Sequence, residues 1–120
     1  MSLILLVDDD KDMLELTRRW LTKAGHEVLC ATSGREAIEC LSAVHPDLIL
    51  LDYAMPEMNG PDVCRALLAD DRYKDIPVVF RTGIDDDESG AVMAELNPAG
   101  VVSKSEGKNA LISAVEGVLK

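Results

Sequence analysis

Two short stretches, Leu3–Val7 and residues 47–51, are almost free of polar side chains, and each stops abruptly at aspartate. The first runs into Asp8-Asp9-Asp10 and the second into Asp52. An unbroken apolar run of this length reads as a strand buried on both faces, because a strand with one wet face would alternate. Such strands need helices above and below them, and the intervening segments have the pattern to provide these. In residues 11–24, Met13, Leu16, Trp20 and Ala24 fall at helical spacing, and Gly25 supplies the stop. The alternation then repeats. Residues 27–31 predict a strand, 34–44 a helix, 47–51 a strand, 61–69 a helix, 76–81 a strand, 86–96 a less apolar helix and 101–103 a short strand. Leu111, Ala114, Val115 and Val118 mark the last helix. Five strand-helix units in succession predict an α/β fold, a doubly wound five-stranded parallel sheet with helices on both faces, because each crossover returns right-handedly to the sheet. The first and third strands, the most apolar, are expected at its centre. No low-complexity tract or internal boundary divides the sequence, so residues 1–120 are expected to form one domain.

Of the residues, 48% are hydrophobic but only 3% aromatic, so the core must be built from Leu, Ile, Val and Ala. The formal net charge of -10 argues against nucleic-acid backbones and anionic membranes as direct partners, since both would be repelled. A cation or a basic protein surface is the expected partner. Cys30, Cys40 and Cys64 are odd in number and lack CxxC or Cys/His spacing, which predicts reduced thiols rather than a disulfide framework or a zinc site. No apolar run approaches the roughly 18 residues of a membrane span, and the N-terminus lacks the basic region and cleavage site of a signal peptide. The expected location is the cytoplasm.

Ligands of open parallel sheets bind outside the carboxyl ends of the strands. Those ends would gather Asp8, Asp9, Asp52, Thr82 and Lys104 on one edge. Two carboxylates ~4 Å apart repel by roughly 4 kcal/mol at an effective dielectric near 20, so something must offset the crowding. Lys104 can neutralise one charge, and an oxygen-rich anionic cleft also suits a hard divalent cation such as Mg²⁺. Strand-end aspartates also cap helices, the expected role of Asp10 or Asp12. The acids Asp85-Asp86-Asp87-Glu88 are favoured by the dipole of the helix they open. His26 and His45 lie at element boundaries without catalytic partners and are expected in surface or turn roles. Tyr53, beside Asp52, has two readings, partner recognition at the pocket or packing.

Taken together, Val7-Asp8-Asp9, Leu50-Leu51-Asp52, Met55-Pro56-Glu57-Met58-Asn59-Gly60, Arg81-Thr82-Gly83 and Lys104 strongly resemble the response-regulator receiver family of two-component signalling, and the resemblance covers the entire chain. It implies a flavodoxin-like fold with strand order 2-1-3-4-5. It also implies that Asp52 is a nucleophile receiving a phosphoryl group from a sensor histidine kinase, a histidine phosphotransfer protein or a small acyl phosphate. By the same resemblance Asp9 and Asp52 would ligate Mg²⁺ directly, the backbone carbonyl of Ala54 would be a further ligand, and Asp8 would act largely through water. Lys104 would supply charge and Thr82 a hydroxyl donor. Such a protein is a phosphoacceptor switch, catalysing only its own phosphorylation and dephosphorylation, that acts on a downstream output domain or protein. Those roles suit phosphoryl transfer, which needs in-line placement and neutralisation of anionic oxygens more than covalent help.

Three features depart from the family pattern. Val101 stands where many receivers carry the Tyr or Phe that swings inward after phosphorylation. Ser105 follows Lys104 where the family usually has proline in a commonly cis peptide, so a trans bond is expected here. Ala54 and Ile84, two residues beyond Asp52 and Thr82, are apolar at positions that influence hydrolysis. A haloacid-dehalogenase type phosphatase would need a second Asp two residues after the nucleophile, where Ala54 stands. The alternative that stays open is a receiver-shaped module that binds proteins without being phosphorylated.

Overall fold

The computed structural model describes residues 2–83 and 87–119, excluding the side chains of residues 87–90. The order of elements is β1 (Leu3–Val7), α1 (Lys11–Lys23), β2 (Glu27–Ala31), α2 (Gly34–Leu41), β3 (Leu48–Asp52), α3 (Gly60–Leu68), β4 (Val78–Thr82), α4 (Asp87–Leu96), β5 (Gly100–Ser103) and α5 (Lys108–Leu119). All pairings are parallel and the strands lie in the order β2-β1-β3-β4-β5. Each apolar run is thus flanked by strands on both sides, and β3, at the centre, is buried along its whole length.

Alternation along the strands divides the core in two. Leu5, Val7, Ile49, Leu51 and Phe80 face α2, α3 and α4, whose Ala37, Leu41, Val63, Leu67 and Leu96 cover them. Ile4, Leu6, Leu48, Leu50, Val79 and Val102 face the opposite way, against Leu14 and Leu21 of α1 and Leu111 and Val115 of α5. A chain so poor in rings fills both halves with branched aliphatic side chains, and Phe80 is the one aromatic among its fully buried residues.

Several elements begin or end one residue away from expectation, and four departures have a local reason. The helix expected over 34–44 ends at Leu41: the amides of Ser42 and Ala43 turn back three residues, to Glu39 and Cys40, ahead of Pro46. The strand expected over 47–51 begins one residue later, because Asp47 uses its carboxylate to accept the Leu3 N–H at 2.8 Å. The strand expected over 76–81 is Val78–Thr82, its start set by Pro77, which has no N–H for the ladder. The buried stripe of α1 is Leu14, Thr17 and Leu21, one residue round from the expected Met13, Leu16, Trp20 and Ala24. Leu16 is 41% exposed, and the polar Thr17 is fully buried because it has a partner across the core, described below. Asp10 caps α1 as expected, accepting from the amides of Asp12 and Met13.

Candidate active site

Strand alternation that aims Leu6, Leu50, Val79 and Val102 at α1 and α5 carries Asp8, Asp52, Arg81 and Lys104, two residues further along, to the same side of the carboxyl edge. Backbone pairing fixes the edge beyond the strands. The Asp8 N–H donates to Ala31 at 3.1 Å, the Tyr53 N–H to Arg81 at 2.8 Å, and the Lys104 N–H to Thr82 at 2.9 Å. The loop after β3 is held from below by Gly60, whose N–H donates to the Tyr53 carbonyl at 2.9 Å. A Cβ at Gly60 would collide with the Asp52 carbonyl oxygen, so only glycine lets α3 start this close to the strand end. Asn59 caps α3 in a reciprocal capping box with Asp62.

Carboxylate oxygens of Asp8, Asp9 and Asp52 all lie within 4.8 Å of one another. Lys104 Nζ donates to Asp52 Oδ2 at 3.0 Å and lies 3.3 Å from Asp8 Oδ2. Asp8 and Asp52 are buried, whereas Asp9 is exposed. Burial drives the Asp52 carboxyl up to about 7; the hydrogen bond and charge of Lys104 pull against this, and the nearby Asp8 and Asp9 add to it. For Lys104, burial lowers the ammonium value, but Asp52 and Asp8 outweigh it and hold the group above the ordinary lysine range. The two partners therefore pull unequally: one lysine is too little charge for this many carboxylates, and the lysine itself is held firmly charged. Asp8 Oδ2, though paired in charge with Lys104, is buried and accepts no hydrogen bond among the described residues. An all-oxygen donor set with a spare buried acceptor fits a hard divalent cation such as Mg²⁺.

The profile of the response regulator receiver domain family matches residues 4–116. This chain belongs to that family. The receiver domain is 39% identical over 82 residues to response regulator MprA of Mycolicibacterium vanbaalenii, a match that takes in 68% of this chain and 35% of that protein. It thus spans about a third of that relative's length. Among solved structures it is similar to the signal receiver domain of a signal transduction histidine kinase from Syntrophus aciditrophicus, with 31% identity, TM-score 0.93, and coverage of 99% of this chain and 90% of that one. It is also similar to the chemotaxis protein CheY4 of Vibrio cholerae, with 27% identity, TM-score 0.92, and coverage of 98% of both chains. The flavodoxin-like architecture and its strand order are therefore as expected. Phosphorylation-dependent signalling is the general function of the family, whose members are phosphoacceptor switches that bind Mg²⁺ at such an acidic cluster and work with histidine kinases and output domains.

The remaining expectations fall into place around the receiver's edge. Thr82 ends β4, half-buried, in register with Ser103 of β5. Ala54 lies exposed in the loop after Asp52. Val101, at the position of the usual aromatic, is 49% exposed on β5. No peptide bond among the described residues is cis, so Lys104–Ser105 is trans as serine in that place predicts. Tyr53 packs, its ring edge-on to Phe80 at 5.9 Å. His45 is exposed and His26 lies at a turn, as expected of surface or turn roles. The His26 side chain, just before β2, is only 10% exposed, its Nε2 3.5 Å from Glu116 of α5. All three cysteines are free, and burial pushes their thiols up. Ile84, Asp85 and Asp86 lie outside the described residues, as do the side chains of Asp87 and Glu88. Among the described residues no helix is long and apolar enough to cross a membrane.

Arg81 precedes Thr82 in its motif but carries no expected role of its own. The residue is buried at 2% exposure, and one guanidinium N–H donates to Thr17 Oγ1 at 2.7 Å. Burial pulls it below the usual arginine range while Asp8 and Asp52 act the other way; an arginine remains charged regardless. The signal available in the sequence was the pairing of two anomalies, an arginine in an apolar strand and a threonine in an apolar helical stripe.

Proposed function

We propose that Asp52 is the phosphoacceptor of this receiver domain and that its phosphorylation is the signal the domain carries. The observation that supports this best is Lys104 Nζ lying 3.0 Å from Asp52 Oδ2 beside the oxygens of Asp8 and Asp9. An Asp52 oxygen attacks phosphorus in line as the bond to the donor atom breaks, and positive charge must meet the transferring oxygens throughout. Lys104 already stands where that charge is needed. Asp9, Asp52 and the Ala54 carbonyl would hold Mg²⁺, with Asp8 assisting, and the ion would supply further charge there. The Thr82 hydroxyl donates to a phosphoryl oxygen and draws the end of β4 toward Asp52. The donor is a sensor histidine kinase or a histidine phosphotransfer protein in the cytoplasm, and the reader is a downstream output domain or protein.

Incubation with an acyl phosphate and Mg²⁺ should add one base-labile phosphoryl group, seen by intact-mass spectrometry, and Asp52→Asn should abolish it. A chain that stays unmodified by small donors and by phosphorylated histidine kinases alike would refute the proposal in favour of a binding module that works without phosphorylation.

A further inference from the structure

Arg81 is the one cation buried outright among the described residues, and phosphoryl transfer as proposed does not use it. Its two hydrogen-bonded neighbours, Thr17 Oγ1 at 2.7 Å and Met13 Sδ at 3.6 Å, are neutral. Its Nε–H is buried and has no acceptor among the described residues. A charge placed so deep with so little local compensation is strongly unfavourable unless a field of opposite sign reaches it. The sheet supplies that field. Arg81 is the registered partner of Asp52 on the neighbouring strand and projects to the same side, so their backbones are one strand spacing apart, about 4.8 Å. The dependence runs both ways: with Lys104 alone the three-carboxylate cluster would keep two net negative charges, and with Arg81 it keeps one.

We propose that Arg81 is a permanent internal counter-ion of the acid cluster, which steadies the metal-free site and holds its affinity for Mg²⁺ below what Asp8, Asp9 and Asp52 would otherwise give. This rests on reading those carboxylates as the Mg²⁺ site. Arg81 is a positioning residue in this account, competing with the metal through charge and not for space. It is unable to leave or to lose its proton, so it sets a fixed level that every metal-binding event must work against.

Calorimetric titration with MgCl₂ tests it on four variants. Arg81→Gln keeps a donor for Thr17 but no charge, and Arg81→Met keeps neither. Both should bind Mg²⁺ on the order of tenfold more tightly than the native chain, as removal of a nearby unit charge implies. Arg81→Lys keeps the charge, and Thr17→Val removes only the hydrogen bond; both should stay close to native affinity. In thermal melts the two neutral variants should be weakened in EDTA and recover toward native behaviour in saturating Mg²⁺. A purely structural arginine would instead give the same deficit in both buffers and unchanged affinity, which overturns the proposal. Neutral variants that fold only with Mg²⁺ support it, and neutral variants that fold in neither buffer overturn it. Native protein that binds no Mg²⁺ sinks the metal reading itself. Native binding with the same affinity in Arg81→Gln sinks only the role given to Arg81.

Discussion

As the proposed phosphoacceptor Asp52 would have to be ionised, yet its surroundings favour the proton. Its folded value of about 7 lies above the ordinary 3.8, so the proton binds the folded form more tightly than the unfolded chain. The stability this contributes is complete below about pH 4 and lost as pH rises through 7. In EDTA, the fall in melting temperature between pH 4 and pH 7 should therefore be shallower for Asp52→Asn than for the native domain. Equal slopes would show that Asp52 is not the group responsible. Labelling by acyl phosphate at limiting Mg²⁺ should rise over the same interval. The carboxylates, Lys104 and Thr82 were legible in the sequence because the chemistry of this fold lies at strand ends, and strand ends can be counted. Arg81 and Thr17 were not, since a polar residue inside an apolar pattern looks like noise until its partner, 64 positions away, is known.

Among the elements, β4 connects the site to its surroundings. It carries Thr82 at its tip and Arg81 one step inside, bonded to α1. With Val101 in place of an aromatic ring, there is no long side chain on β5 to swing, and a β-branched residue has few rotamers to exchange. The expected route of switching is therefore through the backbone beyond Thr82. Comparison of amide spectra with and without beryllofluoride and Mg²⁺ should show shifts concentrated at residues 82–96, and Thr82→Ala should suppress them while leaving Asp52 open to phosphorylation. Large shifts persisting in Thr82→Ala would exclude this route. Ten elements and their order could be read from hydrophobic period alone. What period could not fix was where hydrogen bonding overrides it: the early end of α2 before Pro46, the capture of Asp47 by Leu3, and the rotation of α1 toward Arg81. His26 lies at its expected turn, but its approach to Glu116 was not legible, because nothing near it in the chain announces that partner.

At the scale of the whole molecule, the acid cluster concentrates repulsion in a chain already carrying a formal net charge of -10. Mg²⁺ at ten times its dissociation constant should add about 1.4 kcal/mol to stability, visible as a rise of several degrees in melting temperature. Asp9→Ala should abolish the rise, and a native domain indifferent to Mg²⁺ would contradict the site. The sheet's wiring has another effect. Lys104 reaches Asp8 across 96 residues of chain and Asp52 across 52, and parallel strands offer no hairpin to assemble any part of the site early. A ribosome must release nearly the whole domain before the phosphorylating edge can exist. With Asp52 as the proposed acceptor, readiness to receive a signal comes only after β5 has joined the sheet: a chain truncated before Lys104 has the aspartates without the cation that faces them.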